Sequence, residues 1–293
     1  MPQPKKSLYA RIKAATVDPL RNPPPRVNVL RLSGVIADTN SPLRGGISLN
    51  SLAGPIEQAF KGRNLKAVAL AINSPGGSPV QSALIARRLR EKAAEAEVPV
   101  IAFCEDVAAS GGYWLACAAD EIYAEDNSIV GSIGVISASF GFQEAIAKLG
   151  VERRLYTAGE KKSLLDPFQE ADPKDVARLK AIQKEMHESF KTLVRERRGE
   201  RLTGAEKTLF SGEFWTGRKA LELGLVDGLA DLRSELRRRF GEELILRKVE
   251  RKKGLIPKRL GMETGFGFPE PESWGAGLLA AAEQRALWGR FGL

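Results

Sequence analysis

The chain is poor in histidine, in cysteine and in long apolar runs, and each shortage narrows what it can do. One histidine, His187, among 293 residues leaves no pair of imidazoles for a metal, and any Ser-His-Asp triad would depend on that residue alone. It stands in "QKEMHESFK", where the neighbouring charges mark a solvent-facing helix and a surface histidine. The two cysteines, Cys104 and Cys117, sit in apolar surroundings without metal-ligand spacing and read as buried thiols of a reducing compartment. No stretch reaches the ~18 apolar residues of a membrane-spanning helix. The basic start, "MPQPKKSLYARIKAATVDPL", has no apolar core of the kind a secretory signal carries. The expected location is therefore cytoplasmic, and nothing in the sequence calls for a cofactor or a metal.

What is present is a globular composition, 43% hydrophobic and 28% charged, long enough to bury a sizeable core. The formal charge of +9 is gathered at the ends: residues 1–26 carry six Lys/Arg against one Asp, and residues 233–259 carry eleven against four Glu. Such clusters are either simply solvated or held against an anionic membrane surface, here the cytoplasmic face. Nucleic acid is the weaker expectation, because few aromatics are interleaved with the basic residues.

A proline-rich arm over 1–26 gives way to alternating strands and helices. "VNVLRLSGVI" reads as a strand, "SLNSLAGPIEQAFKG" as a helix capped by Ser48 or Asn50, and "KAVALAINSPGG" as a strand ending in a turn. The helix "SPVQSALIARRLREKAAEAE" turns Val80, Leu84, Ile85 and Leu89 to one face, and "VPVIAFC" is another apolar strand. Strands apolar on both faces, alternating with helices, indicate an α/β fold with a parallel sheet covered on both sides. "FGFQEAIAKLG" predicts a helix, "VERRLYTAG" a strand, and "DPKDVARLKAIQKEMHESFKTLVRERRG" a long helix. The domain is expected over 27–245. A basic, Gly/Pro-rich extension over 246–293 ends in "GLLAAAEQRALWGRFGL", a short amphipathic helix.

Three stretches can carry chemistry. In "CEDVAASGGYWLACAAD", Ser110 follows a strand and precedes two glycines, at the carboxyl end of a sheet where α/β proteins bind ligands. It reads as an exposed nucleophile or as a helix cap. In "INSPGGSPV", the backbone at a helix start can bind an anion or simply turn; the Lys-Ser/Thr pair of a phosphate loop is missing. In "TAGEKKSLLDPF", Lys161 and Lys162 are adjacent, so in an extended segment only one of them faces any given site. With no histidine suited to the task, a serine nucleophile would need a lysine or, less readily, a carboxylate as its base. Bringing a lysine from ~10.4 toward ~7.5 costs about 4 kcal/mol, which burial can supply.

Taken together, "LAINSPGGSPVQSALIARRL", "VAASGGYWLACAADEIYAEDNSIVGSIGVI", "LYTAGEKKSLLDPF" and "FSGEFWTGRKALELGLVDGL" resemble, in order and spacing, the signal peptide peptidase A family of serine proteases. The resemblance covers about residues 27–245. It implies the fold shared with the Clp protease and the crotonases, built of repeated β-β-α units. It implies Ser110 as nucleophile, Lys162 as general base, Ser132 of "GSIGV" as the serine that orients the lysine, and Gly77 and Gly111 as oxyanion-hole donors. It implies a ring-like homo-oligomer whose active sites are shared between subunits, acting on extended, largely apolar peptides such as signal peptide remnants. Two other readings share the fold: an acyl-CoA-using crotonase relative, which would need carboxylates near the oxyanion site, and a catalytically silent scaffold.

Overall fold

The computed structural model describes residues 23–38, 46–159, 161–249, 282 and 285–292. The basic arm up to residue 22, residues 250–281 of the extension, and Glu160 of the lysine motif lie outside the described residues.

The apolar runs form the strands the alternation demanded: β1 (Arg26–Ser33), β2 (Leu65–Ser74) and β3 (Val100–Ala109). They lie side by side in parallel, β3-β2-β1, with β8 (Ile245–Val249) added beyond β1. β8 crosses the boundary expected at residue 245. Helix α1 (Leu49–Ala59) connects β1 to β2 and α2 (Pro79–Ala96) connects β2 to β3. Both start where short polar side chains satisfy free N–H groups. Ser48 accepts from Ser51 in a reciprocal capping box, and Ser78 accepts from Gln81 just before Pro79.

Beyond β3 the sheet divides. The first half of β3 pairs with β4 (Glu121–Ala124), and its last three residues pair with β5 (Ile129–Gly131). β4 carries β7 (Gly228–Leu229), while β5 is bordered by β6 (Phe214–Thr216), the one antiparallel strand among the described residues. Short helix α3 (Gly111–Ala116) leaves the end of β3. The small helices α4 (Gln143–Lys148), α6 (Glu206–Leu209) and α7 (Gly217–Glu222) flank the long α5 (Pro173–Arg198), and α8 (Leu232–Phe240) precedes β8.

Strand periodicity decides which side chains meet which layer. Leu30, Leu32, Val68, Leu70 and Ile72 point into the larger core with α1, α2, α3 and α5, while Val27, Ala67, Ala69, Ile101 and Phe103 meet Leu236 of α8 on the other face. Cys104 and Cys117 are free and buried, and burial pushes both thiols up to about 12. Arg198, at the end of α5, is buried and grips both carboxylate oxygens of Asp227 at 2.7 and 3.0 Å, fixing the long helix to the β4–β7 layer. Among the described residues no helix is long and apolar enough to cross a membrane.

Two expectations fail here. Val80 is exposed and Ser82 takes the buried position on α2 instead, because Pro79 and Val80 form the first turn, ahead of the contact with the core. "VERRLYTAG" makes no strand. Its apolar residues pair with no strand among the described residues, and Val151, Leu155 and Tyr156 remain exposed.

Candidate active site

Strand register builds the centre of the site. Ala109 of β3 is paired with Gly131 of β5, and the Ser110 N–H donates to the Gly131 carbonyl at 2.8 Å. Ser110 and Ser132, 22 residues apart in sequence, therefore end neighbouring strands. Each has a positive φ, 52° and 53°, where an L side chain crowds its own backbone at a cost of about 1–3 kcal/mol. Ser110 heads α3 without making a side-chain capping bond, which removes the cap reading. Ser132 is buried, and its N–H is held by the Glu213 carbonyl at 2.7 Å.

Both serines line one open cleft of about 370 Å³ together with Gly134, Val135, Ile136, His187, Ser211, Gly212 and Arg290. No carboxylate is among them. Among the described residues no cluster of side chains suits a metal ion.

The glycine motif is packed directly against Ser110. A Cβ on Gly76, whose φ is 101°, would lie 2.8 Å from both the Gly111 nitrogen and the Ser110 Cβ, so only glycine allows this approach. Next to it, the Ile36 N–H donates to the Gly76 carbonyl and the Ser78 N–H to the Ile36 carbonyl. This parallel bridge skips the Gly77 N–H, which has no acceptor among the described residues. The N–H of Gly111, first in α3, belongs to the helix-start donors without an intrahelical partner. Gly77 and Gly111 are brought beside Ser110 through Gly76, but neither lines the cleft that holds Ser132.

Lys162 is not brought to this point. It lies exposed in a turn, its N–H bonded to the Gly159 carbonyl at 3.1 Å, and it is absent from the cleft. Lys161 beside it pairs with Asp175 at 3.4 Å. The segment that carries both is held mainly by its own contacts. Arg153 pairs with Asp166 and stacks over Phe168, and Phe142 packs on Phe168. Ile136, Phe140, Leu149, Val151 and Tyr156 of the same segment are exposed, Tyr156 at 89%. That concentration of apolar surface is unusual for a chain without a partner.

His187 corrects the sequence reading. It is half-buried, lines the cleft, and its Nε2 lies 3.0 Å from the Ile133 carbonyl, one residue beyond Ser132. Its spacing to Phe190 and Val194, both buried, is i, i+3, i+7, the stripe by which a helix meets its core. That periodicity was the available signal, and the charges around it masked it. Arg290 left no comparable trace.

Residues 92–239, about half of the chain, match the model of peptidase family S49. The sequence is 51% identical to a protein of Brucella abortus named Na(+)/H(+) antiporter NhaA, over 91% of this chain and 37% of that protein. It is 30% identical to a putative signal peptide peptidase SppA of Enterococcus faecium, over 68% of this chain and 58% of that protein. The chain thus spans well under two thirds of these relatives. A solved mutant of the 1510-N membrane-bound stomatin-specific protease is similar at 16% identity with a TM-score of 0.47, covering 78% of this chain and 99% of that one.

Proposed function

Because the chain belongs to peptidase family S49, we propose that it is a serine endopeptidase in which Ser110 is the nucleophile and Lys162, supplied by a neighbouring subunit, is the general base. The observation that carries this reading is the strained pair of serines at the ends of β3 and β5, sharing one cleft. Strain held at such a point is a mark of a functional site. The absence of a carboxylate among the cleft residues speaks against an acyl-CoA enzyme.

In the proposed reaction the Ser110 Oγ attacks the peptide carbonyl and passes its proton to the neutral Lys162 Nζ. The N–H groups of Gly77 and Gly111 take the oxyanion, and Ser132 orients the lysine. Collapse breaks the C–N bond, the leaving amine takes the proton back from Lys162, and water then hydrolyses the acyl-serine by the same path. A solvated ammonium cannot perform the first step. Lys162 has to be covered, and the exposed apolar residues of its segment give a neighbouring subunit a surface to cover. A closed ring of like subunits meets that need, since each lysine segment reaches forward to the next serine. The substrates are extended, largely apolar peptides, signal peptide remnants among them, and the basic ends hold the protein at an anionic membrane surface.

The test is mass spectrometry of the intact protein after reaction with a serine-directed phosphonate. One adduct mapped to Ser110 is expected. A protein that hydrolyses peptides but carries no adduct at Ser110 would overturn the assignment.

A further inference from the structure

The stretch "ALWGRFGL" at the end of the sequence does more than finish a helix. Residues 285–289 are helical, and the chain then turns, with the Phe291 N–H bonded to the Trp288 carbonyl at 2.9 Å. Phe291 is buried at 9% exposure. It packs with Val107 and Ala109 of β3, with Ile129 of β5 and with Trp288, and its ring stands edge-on to Phe214 of β6 at 5.0 Å. Ala109 directly precedes Ser110, and Ile129 lies three residues before Ser132. Arg290, the next residue along, lines the cleft of the two serines. The segment thus covers an apolar surface next to Ser110 and, through Arg290, lines the cleft itself.

Strand alternation explains why that surface exists. Ala108 points into the large core, so Val107 and Ala109 point to the opposite face. There Val107, Ala109, Ile129 and the Phe214 ring surround the benzyl group of Phe291. A peptide lying extended across Ser110 has to place the side chain beside its reacting carbonyl somewhere, and this is the apolar recess at hand.

We infer that the recess formed by Val107, Ala109, Ile129 and Phe214 is the subsite for an aromatic side chain of the substrate next to the scissile bond, and that Phe291 fills it as a tethered competitor. This rests on the reading of Ser110 as nucleophile. An attached competitor acts at a high effective concentration, so substrate sees only the fraction of molecules with the segment displaced and the apparent KM rises accordingly.

The experiment uses the full chain and a fluorogenic peptide series that differs only in the residue preceding the scissile bond: Phe, Leu, Ala or Asp. The wild type should favour Phe. Phe291→Ala should lower KM for the Phe peptide about three- to tenfold with kcat little changed, and should speed phosphonate labelling at Ser110 to a similar extent. A synthetic peptide of residues 282–293 should inhibit Phe291→Ala competitively. If Phe291→Ala fails to fold, Phe291→Leu should show the same changes in smaller degree. Unchanged KM and labelling rate in a folded variant, or no preference for Phe in the wild type, would overturn the inference while leaving the nucleophile assignment intact. Absence of labelling at Ser110 in both proteins would instead overturn the assignment beneath it.

Discussion

Ser110 and Lys162 belong to two differently built regions. The serine ends a ten-residue strand buried in the sheet, with Gly76 pressed against it and Gly131 bonded to its N–H. The lysine sits on an exposed turn in a segment that turns Ile136, Phe140, Leu149, Val151 and Tyr156 outward. The first region is completed by the chain's own core, whereas the second has its chemistry but lacks its cover. On the proposed reading, one chain strains the serine into position and a second chain is needed to desolvate the base.

The largest effect expected from breaking this contrast is at the serine. Ser110→Ala should reduce kcat by about 10³-fold or more with the same elution volume in size-exclusion chromatography. Mixing tests the division more sharply. Ser110→Ala and Lys162→Ala proteins, each inactive alone, should regain about a quarter of wild-type turnover when unfolded and reassembled together, because only sites combining both intact residues work. If serine and lysine came from the same chain, the mixture would stay inactive.

Smaller effects follow on the serine side. A Cβ at Gly77 would lie 2.1 Å from the Ile36 carbonyl oxygen, at a φ of 142°, so Gly77→Ala should cost about 3 kcal/mol or more and lower the Tm measured by calorimetry. Below the sheet, Glu235 bonds Arg238 and Arg239; those bonds, Arg238 first, outweigh its desolvation and hold its carboxyl at about 2 rather than the usual 4.5. A folded pKa below the unfolded one stabilises above pH ~4.5 and fades as pH falls toward ~2. The stability gap between wild type and Glu235→Gln, read from urea titrations, should shrink through that window. A gap constant with pH would show that the ion pairs contribute nothing. The smallest effect belongs to the neighbour of the proposed base. Lys161→Ala removes an exposed pair with Asp175 and should change stability by about 0.5 kcal/mol or less, with turnover within about twofold of wild type by progress-curve assay.

Legibility in the sequence followed the range of the forces involved. β2 and β3 were legible because an apolar run buried on both faces has few other uses, and α1 and α2 because Ser48 and Ser78 announce their starts. "VERRLYTAG" misled because a short run with Val, Leu and Tyr reports a local preference and not the presence of a neighbouring strand. Val80 misled because a helical face was extended into a first turn that has nothing to pack on. His187 was judged by its charged neighbours, although Phe190 and Val194 on its own stripe decide where it points.

By itself, then, the sequence determined the α/β class, the serine before two glycines, the glycine turn, and the lysine pair in its separate segment, since each depends on residues within a few positions of one another. The tertiary structure alone decided that β3 pairs with β5, that Ser110 and Ser132 share a cleft, and that His187 and Arg290 reach it. It also decided that Phe291 packs on Val107 and Ala109 beside them. Strand order and docking are settled by which distant surfaces bury one another, and no local pattern records the partner.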